Sequence, residues 1–311
     1  MIEILIWIVV FVFCLAVLIK SSDLFVESAE KIGNYFKIPH IIIGVTIVAL
    51  GTSLPELVSS IFAGISGSSE IVASNVIGSN IANIFLVIGM SALISKKLSV
   101  KSSEINIDLL FLIGSVVFLG LTIFDQVFIW IEGLFMIAAM VFYFVYIIKS
   151  HKKIDDVNSE KSKSVLIDSL KIILFCILIF VSAKFTIEAV VNLSTLFNIG
   201  TDIIAATAVA LGTSLPELIV SITAARKGNS AISIGNILGS NLFNTFIVMG
   251  VPSLISPLVI STNALMFQFP IMIIATTLFA IMIKKDRFSK WDGGLLVAFY
   301  IFFVLNMIGA F

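Results

Sequence analysis

Charged side chains are scarce in this 311-residue chain: Asp, Glu, Lys and Arg make up 12% of it and cancel to a net charge of zero. That balance argues against a nucleic-acid partner, because no basic tract interleaved with aromatics rises above short loops. Imidazole and thiol are scarcer still, with two histidines, His40 and His151, and two cysteines, Cys14 and Cys176. Both cysteines lie inside apolar runs, so they read as small core residues, not as a disulfide or a metal site. What fills the chain instead is hydrophobic: 59% of residues, with a mean hydropathy of +1.17. A soluble core of this length could not hide so much apolar surface, and the chain reads as a polytopic membrane protein.

At about 20 apolar residues per crossing, ten spans are expected: roughly 3–26, 39–66, 70–94, 105–124, 127–148, 165–190, 201–226, 230–254, 260–283 and 290–310. The first apolar run, Ile4 to Ile19, has no basic segment ahead of it and no small-residue cleavage site, so it is expected to be a span and not a removed signal. One substantial hydrophilic loop, Lys149 to Lys163, falls at the middle of the chain. It divides residues 1–148 from 164–311, five expected spans on each side. Alternating the loops puts 18 of the 19 basic residues on one side, the exception being Lys184. Positive loops stay in the cytoplasm, so the linker at 149–163 is expected inside and both termini outside.

Proline is rare too, six residues in all, yet two of them occur in identical contexts. Gly51-Thr52-Ser53-Leu54-Pro55-Glu56-Leu57 returns as Gly212-Thr213-Ser214-Leu215-Pro216-Glu217-Leu218, 161 residues later. The same offset relates Asn75 to Asn236, Gly78-Ser79-Asn80 to Gly239-Ser240-Asn241, Asn83 to Asn244, and Glu27 to Glu188. Because five spans is an odd number, the second copy must enter the membrane from the opposite side. The fold expected is therefore an all-α membrane protein of ten transmembrane helices arranged as two inverted five-helix repeats, with repeated motifs in 44–90 and 205–251 and a binding site near the midplane.

The repeated heptapeptide breaks two rules of a membrane helix. Pro55 and Pro216 remove a backbone donor, and Gly51 and Gly212 make unwinding easy, so helix breaks with free carbonyls are expected there. Lining a cavity, such carbonyls become ligands for a hard cation. Each buried glutamate costs about 3 kcal/mol on insertion scales, so Glu56 and Glu217 call for a compensating cation. Thr52 and Glu56 are four apart and share a face, with Ser53 beside them, and Thr213, Ser214 and Glu217 repeat the pattern. Asn75, Ser79 and Asn83 form a polar stripe along the next span, as do Asn236, Ser240 and Asn244. Stripes of this kind serve either as ligands or as glue between helices. Every donor is a hard oxygen, which favours calcium or sodium over zinc or copper. Glu27 and Glu188 are expected at interfacial helix ends. Glu132 and Asp292, in the matched Trp130-Ile131-Glu132-Gly133 and Trp291-Asp292-Gly293-Gly294, read as acidic helix starts at the membrane surface.

At these motifs the sequence resembles the cation/calcium antiporter superfamily and, within it, the prokaryotic sodium/calcium exchangers, over nearly the whole chain. The resemblance implies antiport of about three sodium ions against one calcium by alternating access, with no cofactor and no catalytic residue. It implies calcium held by Glu56, Glu217, Thr52 and Thr213. Sodium sites would use Ala49, Thr52, Ser53, Glu56 and Ser79, together with Ala210, Thr213, Ser214, Glu217 and Ser240. Many relatives carry an aspartate at the position of Asn244. With Asn83 and Asn244 both neutral, the site holds two formal charges, and exchange independent of potassium is expected. A proton/calcium exchanger, a potassium-dependent exchanger and an ion channel are the rival readings. An intramembrane hydrolase at Ser53 or Ser214 lacks a base nearby. The expected partners are Ca2+, Na+ and the lipid bilayer, with a monomer as the working unit.

Overall fold

The computed structural model describes residues 2–95, 98–150, 165–196 and 213–307. Among the described residues the chain is predominantly helical, and eight helices are long and apolar enough to cross a bilayer. A bent helix pair passes the same test of length and apolarity when its two parts are taken together. In order they are α1 (Ile2–Phe36), the bent pair α2 (His40–Thr52) and α3 (Leu54–Ile65), α4 (Glu70–Ile94), α5 (Ser102–Thr122) and α6 (Trp130–Ser150). The second half contributes α7 (Val165–Leu196), α8 (Leu215–Arg226), α9 (Ser230–Ser253), α10 (Ala264–Ile283) and α11 (Lys290–Met307). The linker at 151–163 and the stretch 201–212, where the seventh span is expected to begin, lie outside the described residues.

Burial sorts these helices into a centre and a periphery. In their membrane-length windows α9 is 89% buried and α4 72%, whereas α7 is 17% and α1 11%. The central pair therefore carries polar residues shielded by protein. The outer pair presents Leu5, Phe13, Leu166 and Ile173 outward, as a lipid-facing surface does. Helices α1 and α7 pack along each other, and Leu18, Phe25, Ile179 and Ala183 seal them, with Val220 and Ala224 of α8, into a cluster distinct from the main core.

Helix α1 is longer than its sequence suggests: 35 residues, not a span ending near 26. Lys20, Asp23, Glu27 and Lys31 do not stop it, because one charged face is supplied with partners. Lys31 Nζ meets Glu27 Oε1 at 2.6 Å, and Lys227 Nζ reaches the Asp23 carbonyl at 2.6 Å. Glu27 therefore sits inside a helix and not at its end. Glu188 likewise lies within α7.

Two short antiparallel pairings join the halves. Strand β1 (Leu98–Ser99) pairs with β4 (Arg287–Phe288), and β2 (Val127–Phe128) pairs with β3 (Leu258–Val259). Leu98 faces Phe288, and Phe128 faces Leu258. Corresponding residues here are 160 apart, not 161, because the second half has one residue fewer between Gly250 and Leu258 than the first has between Gly89 and Leu98. This corrects the sequence alignment around Trp130 and Trp291. Glu132, whose Oε2 accepts from Ile129 N at 2.7 Å, corresponds to Asp292, whose Oδ2 accepts from Ser289 N at 2.8 Å. Both acids cap a helix start as expected; the tryptophans are out of register.

Candidate cation site

The heptapeptides make matching backbone turns ahead of α3 and α8. After α2, Ser53 leaves the helical region at φ −92°, ψ 5°, and Ser214 does the same at φ −84°, ψ 2°. Pro55 and Pro216 then occupy the first turn of α3 and α8, where a missing N–H costs nothing. The bend between α2 and α3 is 44°. The ladder resumes only with Leu57 N to Ser53 O at 3.3 Å and Leu218 N to Ser214 O at 3.0 Å, so no Glu56 or Glu217 amide is bonded back to the Thr52 or Thr213 carbonyl. One expected free carbonyl is not free: Gly51 O accepts from Cys176 Sγ at 3.2 Å, which gives that thiol of α7 a contact with the break. Ala49 O likewise accepts from Ser53 N at 3.0 Å.

Each break is laid against the polar stripe of the opposite half. Thr52 Oγ1 donates to Asn236 Oδ1 at 3.1 Å and lies 3.4 Å from Ser240 Oγ. In the mirrored arrangement, Thr213 Oγ1 donates to Asn75 Oδ1 at 3.4 Å and lies 3.2 Å from Ser79 Oγ. Ser53 Oγ donates to Glu217 Oε1 at 2.9 Å, a direct link between the two motifs. Asn75 and Asn236 are in turn held by Ser60 and Ser221 at 3.4 and 2.9 Å. The close approach of α9 to α2 depends on Gly239, where a Cβ would stand 2.3 Å from Val45 O and 2.6 Å from Ala49 Cβ.

Burial makes this assembly electrostatically incomplete. Glu56 is 1% exposed and Glu217 0%. Neither carboxylate oxygen of Glu56, nor Glu217 Oε2, has a hydrogen-bond partner among the described residues. Two buried carboxylates with unmatched oxygens, surrounded by hydroxyls, amide oxygens and main-chain carbonyls, form a donor set suited to a hard cation. Among the described residues no lysine or arginine is paired with either glutamate, so none of these side chains offsets their charge.

Asn83 and Asn244, both 0% exposed, each begin a π-helical turn, Asn83–Ile88 and Asn244–Val248. The first packs on α8, which carries Glu217, and the second on α3, which carries Glu56. Such turns concentrate at functional sites because the extra residue re-aims a side chain. Asn80, Asn241 and Thr245 join Asn83 in a buried network that the stripe at i, i+4, i+8 does not include, while neither amide atom of Asn244 is bonded among the described residues. The repeated Gly-Ser-Asn motif was the available signal for Asn80 and Asn241. Ala210 and Gly212 lie outside the described residues.

A predominantly helical chain with this many long apolar helices, closed around two fully buried carboxylates that follow matching backbone turns, defines a polytopic membrane protein built to pass cations. It belongs to the sodium/calcium exchanger family, whose model, described as sodium/calcium exchanger protein, matches residues 6–149 and 169–309. The sodium/calcium exchanger MaX1 of Methanosarcina acetivorans is 32% identical, over 94% of this chain and 95% of its own. A structure of the sodium-calcium exchanger NCX_Mj soaked with 2.5 mM Na+ and 1 mM Sr2+ superposes with a TM-score of 0.83 at 30% identity, covering 95% of this chain and 96% of that one. The sodium/potassium/calcium exchanger 4 of Mus musculus is 30% identical over 48% of this chain and 24% of its own length. The chain is thus an antiporter of this family.

Proposed function

We propose that the protein exchanges about three sodium ions for one calcium ion without potassium, and that the ions compete for one site between the two heptapeptide breaks. The observation that carries this reading is the crossed arrangement of the halves: Thr52 against Asn236 and Ser240, Thr213 against Asn75 and Ser79, and Ser53 on Glu217. It supports an architecture of two inverted five-helix repeats, 1–148 and 164–311, on either side of a cytoplasmic linker at 149–163, with both termini outside.

In this reading Glu56 and Glu217 hold calcium with the carbonyls of Thr52 and Thr213. Sodium takes flanking positions made by Ala49, Thr52, Ser53, Glu56 and Ser79 on one side, and by Ala210, Thr213, Ser214, Glu217 and Ser240 on the other. Asn83 and Asn244 are neutral oxygen donors at the centre. With two formal charges, the site is neutralised by one calcium and left at about +1 by three sodium ions. A potassium ion has no third carboxylate to pair with. The poorly buried α1 and α7 form the peripheral pair that slides against the bundle once the site is loaded, and inward sodium flow drives calcium out through the cell membrane.

The test is calcium flux in proteoliposomes with sodium, potassium and proton gradients imposed one at a time. Sodium alone is expected to drive calcium, with no change on adding potassium. Flux driven by a pH gradient without sodium would assign the protein to proton/calcium exchange instead, and calcium passage without any countertransported ion would make it a channel.

A further inference from the structure

Four asparagines lie where α4 and α9 cross, and all are at most 1% exposed. At the spacing of 161, Asn80 corresponds to Asn241 and Asn83 to Asn244. Their hydrogen bonds do not obey that correspondence. Asn83 Nδ2 donates to Asn241 Oδ1 at 3.0 Å. The equivalent bond, from Asn244 Nδ2 to Asn80 Oδ1, is not made, and both atoms are buried without a partner among the described residues.

The halves also differ in one side chain beside this network. Asn80 Nδ2 donates to Thr245 Oγ1 at 2.9 Å, with Asn241 O a further 3.4 Å contact. The counterpart of Thr245 is Ile84, which offers Asn241 no acceptor. Asn80 is turned toward Thr245, and in a separate bond Asn241 presents its amide oxygen to Asn83. Once Asn83 spends its N–H on that bond, its Oδ1 is fixed away from Asn241 with no partner among the described residues. Asn244 has neither amide atom bonded among them.

We propose that Asn241 is a positioning residue for cation binding, acting through Asn83, whose amide it locks with the oxygen offered as a donor. Asn244, with neither amide atom bonded among the described residues, turns either its oxygen to a cation or its N–H2 to a carboxylate. An amide able to rotate presents the repulsive N–H2 end to a cation part of the time; a locked one does not. This rests on the cation site proposed above, with Asn83 at its centre.

The experiment measures the calcium concentration for half-maximal sodium-driven uptake in Asn241→Leu, Asn83→Ala, their double variant and Thr245→Val, beside the parent. Asn241→Leu is expected to raise it about fivefold, the factor that one ordinary net hydrogen bond is worth, with the maximal rate nearly unchanged. In the Asn83→Ala background the same change is expected to add little, because the lock has nothing left to hold. Thr245→Val removes an equally buried bond of the network without touching Asn83, and is expected to leave half-saturation unmoved. Equal shifts in Asn241→Leu and Thr245→Val would mean general loosening and overturn the proposal, as would additive effects of Asn241→Leu and Asn83→Ala. Should Asn241→Leu not fold, an Asn83→Ala variant with parental half-saturation overturns it alone. A parent that neither binds nor exchanges calcium defeats the transport reading itself, a result distinguishable from all of these.

Discussion

Glu56→Gln is a nearly pure deletion of charge. Neither oxygen of Glu56 has a hydrogen-bond partner among the described residues, so the isosteric amide forfeits no described bond. At a calcium–oxygen distance of about 2.4 Å and an effective dielectric of about 20, one carboxylate attracts a divalent ion by roughly 14 kcal/mol and a monovalent ion by roughly 7. Dehydration of the ion and the carboxylate offsets most of this. If about a quarter survives, calcium loses roughly 3.5 kcal/mol and sodium about half as much, or a few hundredfold against about twentyfold. The variant should therefore fail as a calcium carrier before it loses sodium. Equilibrium binding of radioactive calcium and calorimetric titration of sodium in detergent measure the two affinities, and sodium-driven uptake in proteoliposomes measures transport. Parental calcium affinity in Glu56→Gln, or equal losses for both ions, would refute the assignment of this carboxylate to the calcium site.

Ser53→Ala removes the hydroxyl that donates to Glu217 Oε1 at 2.9 Å. A bond to a charged acceptor is worth about 1.5–3 kcal/mol, so half-saturation for calcium is expected to rise at least about tenfold in the uptake assay. Exchange of three monovalent ions for one divalent ion moves one net charge, for which 100 mV supplies about 2.3 kcal/mol. Calcium uptake into sodium-loaded vesicles should accelerate when valinomycin and external potassium make the interior positive, and insensitivity to that potential would point to an electroneutral two-for-one exchange. Gly239→Ala forces a Cβ to within 2.3 Å of Val45 O, so α9 must move from α2. Overpacking of this kind costs about 1–3 kcal/mol and should lower the unfolding midpoint in detergent; an unchanged midpoint would mean that the two helices yield freely.

Much of the site was legible because the signal was doubly improbable. A proline and a glutamate inside an apolar run, repeated with its neighbours at one spacing, has few structural explanations. The cross-contacts from Thr52 to Asn236 and from Thr213 to Asn75 then join residues already singled out as polar on apolar helices. What stayed hidden depends on geometry that a regular period does not encode. The π turns beginning at Asn83 and Asn244 carry no composition of their own, since an extra residue in a helical turn leaves apolar patterning nearly intact. Helix α1 outran its apolar run because partners from elsewhere, such as Lys227 on Asp23, satisfy its polar face. The change of offset from 161 to 160 was masked by two tryptophans that align by letter, whereas the caps formed by Glu132 and Asp292 align by function. Asn241 appeared as one letter of a motif. Its role emerges only from the bond that Asn83 Nδ2 makes to its amide oxygen, which the other half does not repeat.

The two small strand pairings bear on how the protein is made. Leu98 finds its backbone partner at Phe288, and Phe128 at Leu258, so neither pairing can form from the first half alone. During synthesis, β1 and β2 leave the ribosome with edges that only much later residues can close. The first five helices consequently enter the bilayer as an unfinished assembly, and the final strand, β4, completes it just before the last helix. Truncation ahead of Arg287 should yield an inserted product that is open to proteolysis at the β1 turn, and the two halves expressed as separate chains should protect each other only when made together.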